Sequence, residues 1–304
     1  DFVFALRLAS ARLDVRRDLN LLRITLDNTR FDHLGCNGGT ASSTPNLDRL
    51  AMDGARFTRC TTCVAMTLPA HCSIMTGTYP YVHGVRRNGM DVLSPSHETL
   101  ATRLKSAGFT TYAIVASAVL SSRFGLNQGF DSYHNVPAGA GKDRALPELR
   151  GDKVCDDALL SLRNLKETRF FLWVHFYDPH HPYESPRGAD PGSPEAYADE
   201  VSFVDAQIGR LMAGLKAEGL HRNTMVVVVG DHGEGLGEHG ESEHGYFVYE
   251  TTMHVPLLIW RPGTVPAGRV VEGETRTIDL LPTILDYLGQ PPILQAQGTS
   301  LRPP

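Results

Sequence analysis

The run TMVVVVG at 224–230 restricts the fold more than any other stretch of this chain. Its β-branched residues show no polar alternation, so both faces of the strand must be covered. A strand buried on both faces belongs to a largely parallel sheet with helices on either side. Four further runs have the same character: LLRITLD (21–27), TTYAIVA (110–116), FFLWVHF (170–176) and VPLLIW (255–260). Helical patterns lie between them. TPNLDRLAMDG offers Thr44 as cap, Pro45 in the first turn and Gly54 as stop, while a longer pattern starts from Ser193-Pro194 and ends at Gly219. DLLPTILDYLG reads as a last helix. The expected fold class is α/β, a mostly parallel central sheet flanked by helices.

A length of 304 residues with 41% hydrophobic content supplies a sizeable core. The stretches 135–152 and 182–194 are polar and rich in Pro and Gly, and read as surface loops. A net charge of −5 with interspersed signs, and no basic run beside stacking aromatics, argues against a nucleic-acid polymer as partner. No apolar stretch approaches the roughly 18 residues of a transmembrane helix, so no membrane segment is expected. Five cysteines are an odd number, which speaks against a disulfide framework, and Cys60-x-x-Cys63 lacks the second pair of a zinc knuckle. Residues 1–19 carry neither an initiator Met nor the apolar core of a signal peptide, and are taken as an N-terminal extension without assigned structure.

Charged and metal-ligating residue types fall at strand ends. Asp27 ends the first run, Asp178 and His180-His181 follow the third, and Asp231-His232 ends the fourth. Ligands of open α/β sheets bind beyond the carboxyl ends of the strands, so these distant residues are expected to converge on one crevice. Asp and His together suit Zn²⁺ or Mn²⁺. In MTLPAHCSIMTG (66–77), Pro69 suits a first helical turn and Gly77 a left-handed cap, which puts Thr67 at the helix mouth. Thr67 reads either as an N-cap or as a hydroxyl nucleophile, activated by a metal and by the helix dipole. His239 and His244 lie in EGLGEHGESEHGYF, a loop unlike a core segment.

These residues resemble the alkaline phosphatase superfamily, in particular its sulfatase-like branch. The resemblance runs through LLRITLDNTRFDHLGCNG, TPNLDRLAMDGARFTR, TLPAHCSIMTGTYPYVHGVRRNG, FLWVHFYDPHHPY, VVVVGDHGEGLGEHGESEHG, YETTMHVPLLIWRPG and IDLLPTILDYLG, in the family's order. It implies an alkaline-phosphatase-like fold, a single catalytic domain over 20–304 with a reduced C-terminal subdomain, and a periplasmic or secreted location. There are departures. Sulfatases carry a Cys or Ser, converted to formylglycine, in C/S-x-P-x-R, where this chain has Thr67, Pro69 and His71. They also usually pair two Asp residues after the first strand, where this chain has Asp27 and Asn28. A threonine nucleophile is instead similar to nucleotide pyrophosphatase/phosphodiesterases and phosphoethanolamine transferases.

Carried over residue by residue, the resemblance implies Asp27, Thr67, Asp231 and His232 as metal ligands. Thr67, His181 and His244 are then catalytic, and Asn88, His71 and His180 bind substrate. Asp178, His181 and His244 are offered as a second metal set, although the phosphodiesterases' Asp-x-x-x-His spacing is not reproduced. The cofactor is a divalent metal, with Zn²⁺ ahead of Mn²⁺ and Ca²⁺. The expected activity is hydrolysis of phosphoric esters, phosphodiesters or phosphonate monoesters, through a covalent phospho-threonine. Hydrolysis of sulfuric esters without formylglycine is the alternative. The partner is a small anionic ester, and homo-oligomerisation is left open.

Overall fold

The computed structural model of the chain describes residues 19–136 and 148–303, so all but the last residue of the extension at 1–19 lies outside them. The five apolar runs form β1 (Asn20–Leu26), β4 (Thr110–Val115), β6 (Phe170–Phe176), β7 (Thr224–Gly230) and β8 (Leu257–Trp260). Shorter strands join them: β2 (Ala55–Phe57), β3 (Cys60–Thr61), β5 (Ser132–Asn135), β9 (Arg269–Val271) and β10 (Thr275–Arg276). Eight strands make one sheet in the order β5-β4-β6-β1-β7-β8-β2-β9, and β10 pairs with β3 separately. All pairings in the large sheet are parallel except those of β8, which runs antiparallel to β7 and β2.

Both faces are covered, as the unalternating runs require. Along β7, Met225, Val227 and Val229 enter one core with helices Thr67–Thr76 and Leu280–Tyr287. Val226 and Val228 enter the other, with helices Pro45–Asp53, Gly151–Leu165 and Pro194–Ala217. Helix ends follow the sequence with one exception. Ser193 caps its helix by accepting from the Ala196 N–H at 3.1 Å, and Gly77 and Gly219 stand at φ 66° and 74°. Thr44 does not cap. Its hydroxyl accepts from the Gly35 N–H at 2.8 Å and donates to Asp48 Oδ1 at 3.0 Å, so it ties the preceding loop to the helix instead.

The fold's main local conflict is Arg23, fully buried at the centre of β1. Its Nη2 donates to Met75 Sδ at 3.0 Å, while Nε and Nη1 have no hydrogen-bond partner. The guanidinium carbon lies 5.0 Å from the Trp173 ring centroid and 5.6 Å from that of Phe171. Burial pushes the Arg23 pKa down to about 9. Cation–π contacts of about 2 kcal/mol offset only part of the cost of burying an unpaired charge. Replacement by an apolar chain of similar length, Arg23→Met, is expected to stabilise the fold by about 1–2 kcal/mol. Chemical denaturation of both proteins checks this, and a destabilised R23M would show that the guanidinium is net favourable.

Candidate active site

Strands β6, β1 and β7 end side by side, with Leu26 in register with both Phe176 and Gly230. The next residue of β1, Asp27, donates its N–H to the Phe176 carbonyl at 3.0 Å, and Asp231 donates to the Leu26 carbonyl at 3.2 Å. Backbone pairing thus delivers two carboxylates, 204 positions apart in sequence, to one spot with no exposure to solvent. His232 comes with them. Its Nδ1 donates to the Gly233 carbonyl at 2.9 Å, which fixes the tautomer and leaves the Nε2 lone pair directed at the carboxylates. Nε2 is 3.4 Å from Asp231 Oδ2 and 3.6 Å from Asp27 Oδ1.

These three side chains fit a divalent cation. Their ligand atoms lie within 4.8 Å of one another, the one such group among the described residues. Asp27 Oδ2 and Asp231 Oδ2 are buried with no hydrogen-bond partner, and such orphaned anionic oxygens are costly unless a cation meets them. The electrostatics agree. Burial and the charge of Asp27 push the Asp231 carboxyl well above its usual range. Burial also acts to raise Asp27, but its histidine neighbours, His175 foremost, outweigh it and hold Asp27 below the usual range. Burial and the charge of His244 push His232 down to about 4, which keeps it neutral and able to ligate.

Thr67 is the first residue of helix Thr67–Thr76 and does not cap it. Its hydroxyl points across the sheet edge to Asp27 Oδ1 and His232 Nε2, each 3.3 Å away. The cap position belongs to Met66, and Asn88 supplies the side-chain acceptor, taking the Leu68 N–H at 2.9 Å. The hydroxyl is thus freed from capping, buried, and set at a helix N-terminus beside the candidate cation site.

Behind this cluster stands Glu234, fully buried, which accepts from Asn28 Nδ2 at 2.6 Å, Tyr183 Oη at 2.8 Å and His244 Nδ1 at 2.9 Å. Burial works against charge on His244, but the Glu234 hydrogen bond outweighs it and raises the imidazole pKa. The His244 ring centroid lies 4.4 Å from that of His232, so this imidazole borders the cluster. His175 packs beneath, its Nε2 3.3 Å from Asp27 Oδ2. Sequence reasoning missed both Glu234 and His175. Only the folded sheet shows the role of His175, by placing it beside Asp27 on the face that also carries Thr25 and His71.

The remaining expected site residues scatter. His71 is fully buried one helical turn behind Thr67, with Nδ1 on the Thr67 carbonyl at 2.7 Å and Nε2 at 3.1 Å from Thr25 Oγ1. Burial pushes its pKa well down, so it supports the helix as a neutral group rather than meeting substrate. In the loop after β6, His180 turns toward the crevice, stacked on Tyr177 at 4.2 Å with its ring 5.7 Å from that of His244. His181 turns outward, with Nδ1 3.9 Å from Glu243 and its ring edge-on to Tyr183 at 5.5 Å. Asp178 faces the other way, accepting the Gly151 N–H at 2.9 Å at the mouth of helix Gly151–Leu165. Asp178, His181 and His244 are therefore not brought together, which corrects the second metal set. His239 stacks on Tyr249 with ring centroids 3.9 Å apart.

The family model described as Sulfatase matches residues 20–290. An arylsulfatase of Clostridium perfringens is 25% identical over 88% of this chain and 74% of its own length. A structure solved with D-glucosamine-2-N,6-O-disulfate superposes at a TM-score of 0.82 with 22% identity, over 94% of this chain and 79% of the other. A phosphonate monoester hydrolase of Agrobacterium radiobacter superposes at 0.78 with 24% identity, over 93% and 76%. The chain spans 61 to 74% of the length of its curated relatives. Those relatives bear sulfatase names, while the phosphonate hydrolase likeness shows the fold alone. This overturns the expectation of a phosphodiester or phosphonate hydrolase and favours the sulfuric-ester alternative. A threonine nucleophile by itself is a poor guide, because phosphodiesters and sulfate esters are both tetrahedral monoanions.

The repelling carboxylate pair generates a prediction. Asp231→Asn removes one of two adjacent buried charges without changing shape, so in chelator the variant should melt above the wild type, by the equivalent of about 1–3 kcal/mol. Its divalent-metal affinity should fall by roughly 10²-fold. Thermal melts in chelator with metal analysis after reloading check both, and a D231N that melts lower and keeps its metal would contradict the site.

Proposed function

This chain belongs to the sulfatase family, and from that premise we propose that it hydrolyses sulfuric esters in the crevice formed by Asp27, Thr67, Asp231 and His232, without formylglycine. The choice of sulfuric esters rests on the match to the Sulfatase family model over residues 20–290 and on relatives with sulfatase names, and the mechanism rests on the position of Thr67. By the resemblance, this residue stands where sulfatases carry the Cys or Ser of their motif, and its hydroxyl is 3.3 Å from both Asp27 Oδ1 and His232 Nε2.

A divalent cation held by Asp27, Asp231 and His232 would supply the positive charge that makes the Thr67 hydroxyl acidic and offsets charge on the ester oxygens. Zn²⁺ or Mn²⁺ fits the mixed oxygen and nitrogen set better than Ca²⁺, which takes oxygen ligands. Thr67 Oγ1 attacks sulfur in line with the departing alcohol oxygen, its proton passing to the carboxylate–imidazole cluster. The sulfur–alcohol bond breaks as the Oγ1–sulfur bond forms. Water then attacks the sulfo-threonine, releasing sulfate and restoring the hydroxyl. His244, held charged by Glu234, donates to a non-bridging oxygen, and the helix N-terminus at Thr67 adds its dipole. Asn88 orients that helix end through Leu68. His180, rather than His181, turns toward the crevice, and burial holds its pKa down, so it acts as a relay that takes up the proton Thr67 releases into the cluster and passes it to the departing alcohol oxygen.

Two measurements test this. Steady-state rates of the metal-loaded protein should favour p-nitrophenyl sulfate over bis(p-nitrophenyl) phosphate by roughly tenfold or more in kcat/KM, and a reversed preference would overturn the assignment. His180→Ala should slow esters with poor leaving groups by about 10²-fold, while His181→Ala leaves them within about twofold. The opposite pattern would return the acid to His181.

A further inference from the structure

Beside the crevice, and sharing His180 and Tyr177 as its wall, lies a cavity of about 190 Å³. Four carboxyl groups line it: Glu148, Asp178, Glu184 and Glu200. Arg150 is the one guanidinium among them, and it lies over the Phe203 ring with its Cζ 4.6 Å from the centroid. Glu200 is 6% exposed, and its Oε1 accepts from the Glu184 N–H at 2.8 Å while Oε2 has no partner. A buried carboxylate oxygen without a donor is costly. Burial and surrounding negative charge push Glu200 up to about 8, and burial pushes Asp178 up to about 6.

The missing element is a cation that can also donate hydrogen bonds. These carboxylates do not form a preformed metal cage, since the one convergent set of metal-ligating atoms among the described residues is that of Asp27, Asp231 and His232. The cavity is large enough for a small organic group, and Tyr177, Pro186 and Phe203 give it an apolar wall for methylenes. It lies beyond His180, which the reading above places on the leaving-group side of the crevice.

We propose that this cavity is a specificity subsite for a protonated primary amine on the alcohol part of the ester, with Glu200 as its main acceptor. The proposal rests on the reading that the crevice hydrolyses sulfate esters. An amine-bearing alcohol satisfies the orphaned Glu200 oxygen, and its carbon chain leads back to the sulfate past His180. The same wall repels polysulfated polymers, whose neighbouring charges would face the carboxylates.

A matched pair of substrates tests it: 3-ammoniopropyl sulfate and butyl sulfate, its analogue without the ammonium group, with 3-aminopropanol titrated calorimetrically as the product. Wild type should prefer the ammonium ester by roughly 30-fold in kcat/KM, chiefly through KM. In Glu200→Gln the ratio should fall toward one, and in Glu148→Gln, at the exposed rim, it should fall several-fold. The second variant keeps the test usable if the first does not fold. Equal kcat/KM on the two esters, with p-nitrophenyl sulfate turned over, overturns the subsite and leaves the sulfatase reading standing. If no sulfate ester is turned over, the sulfatase reading fails. Binding of 3-aminopropanol to wild type but not E200Q then still upholds the cation site, and no binding overturns it.

Discussion

Two carboxylates placed together out of water are the constraint around which this molecule is built. Parallel pairing of β1 with β6 and β7 forces Asp27 and Asp231 to the same level of the sheet. An oxygen on each lacks a hydrogen-bond partner. Like charges this close do not both ionise comfortably, so the pair has a built-in demand for a cation. The imidazoles around it do not supply that charge. His232 is locked as a neutral acceptor, and His71 is kept uncharged by burial.

A second layer aims these groups. Glu234 gathers Asn28, Tyr183 and His244, and Tyr197 closes the ring by donating to the Asn28 carbonyl at 2.7 Å and accepting the Arg30 N–H at 3.0 Å. Asn28 explains one departure noted in the sequence. Its amide donates to Glu234 at 2.6 Å, where an aspartate would set a carboxylate against a carboxylate. The local backbone at Asn28 is left-handed, at φ 52°, a conformation that asparagine tolerates better than most residues. Anchored in this way, His244 faces the crevice with a raised pKa while the carboxylate that raises it stays buried.

Much of this was legible in the sequence, and the reason is geometric. Asp27, Asp231 and His232 end strands whose unbroken apolar character announces a buried parallel sheet, and Thr67 opens a helix bounded by Pro69 and Gly77. What was hidden is equally explicable. His175 sits inside an apolar run and reads as part of a strand, since only its neighbour across β1 reveals its role. Glu234 is one of four glutamates between 234 and 243, and nothing local selects it. Whether His180 or His181 turns inward depends on the path of a single loop. β2, β5 and β9 are too short to show a period. The chemistry of the ester was misjudged for a different reason, because Thr67 is compatible with attack on phosphorus or sulfur and the choice between them is not written in the nucleophile.

The account depends most directly on Thr67 acting as more than a helix residue, so the decisive measurement is p-nitrophenyl sulfate turnover by wild type, Thr67→Ser and Thr67→Ala at matched metal content. A nucleophilic hydroxyl predicts that T67S keeps substantial activity while T67A loses at least about 10³-fold in kcat. If metal-replete T67A turns over the sulfate ester as fast as wild type, the hydroxyl between Asp27 and His232 is structural, and the mechanism proposed here is wrong.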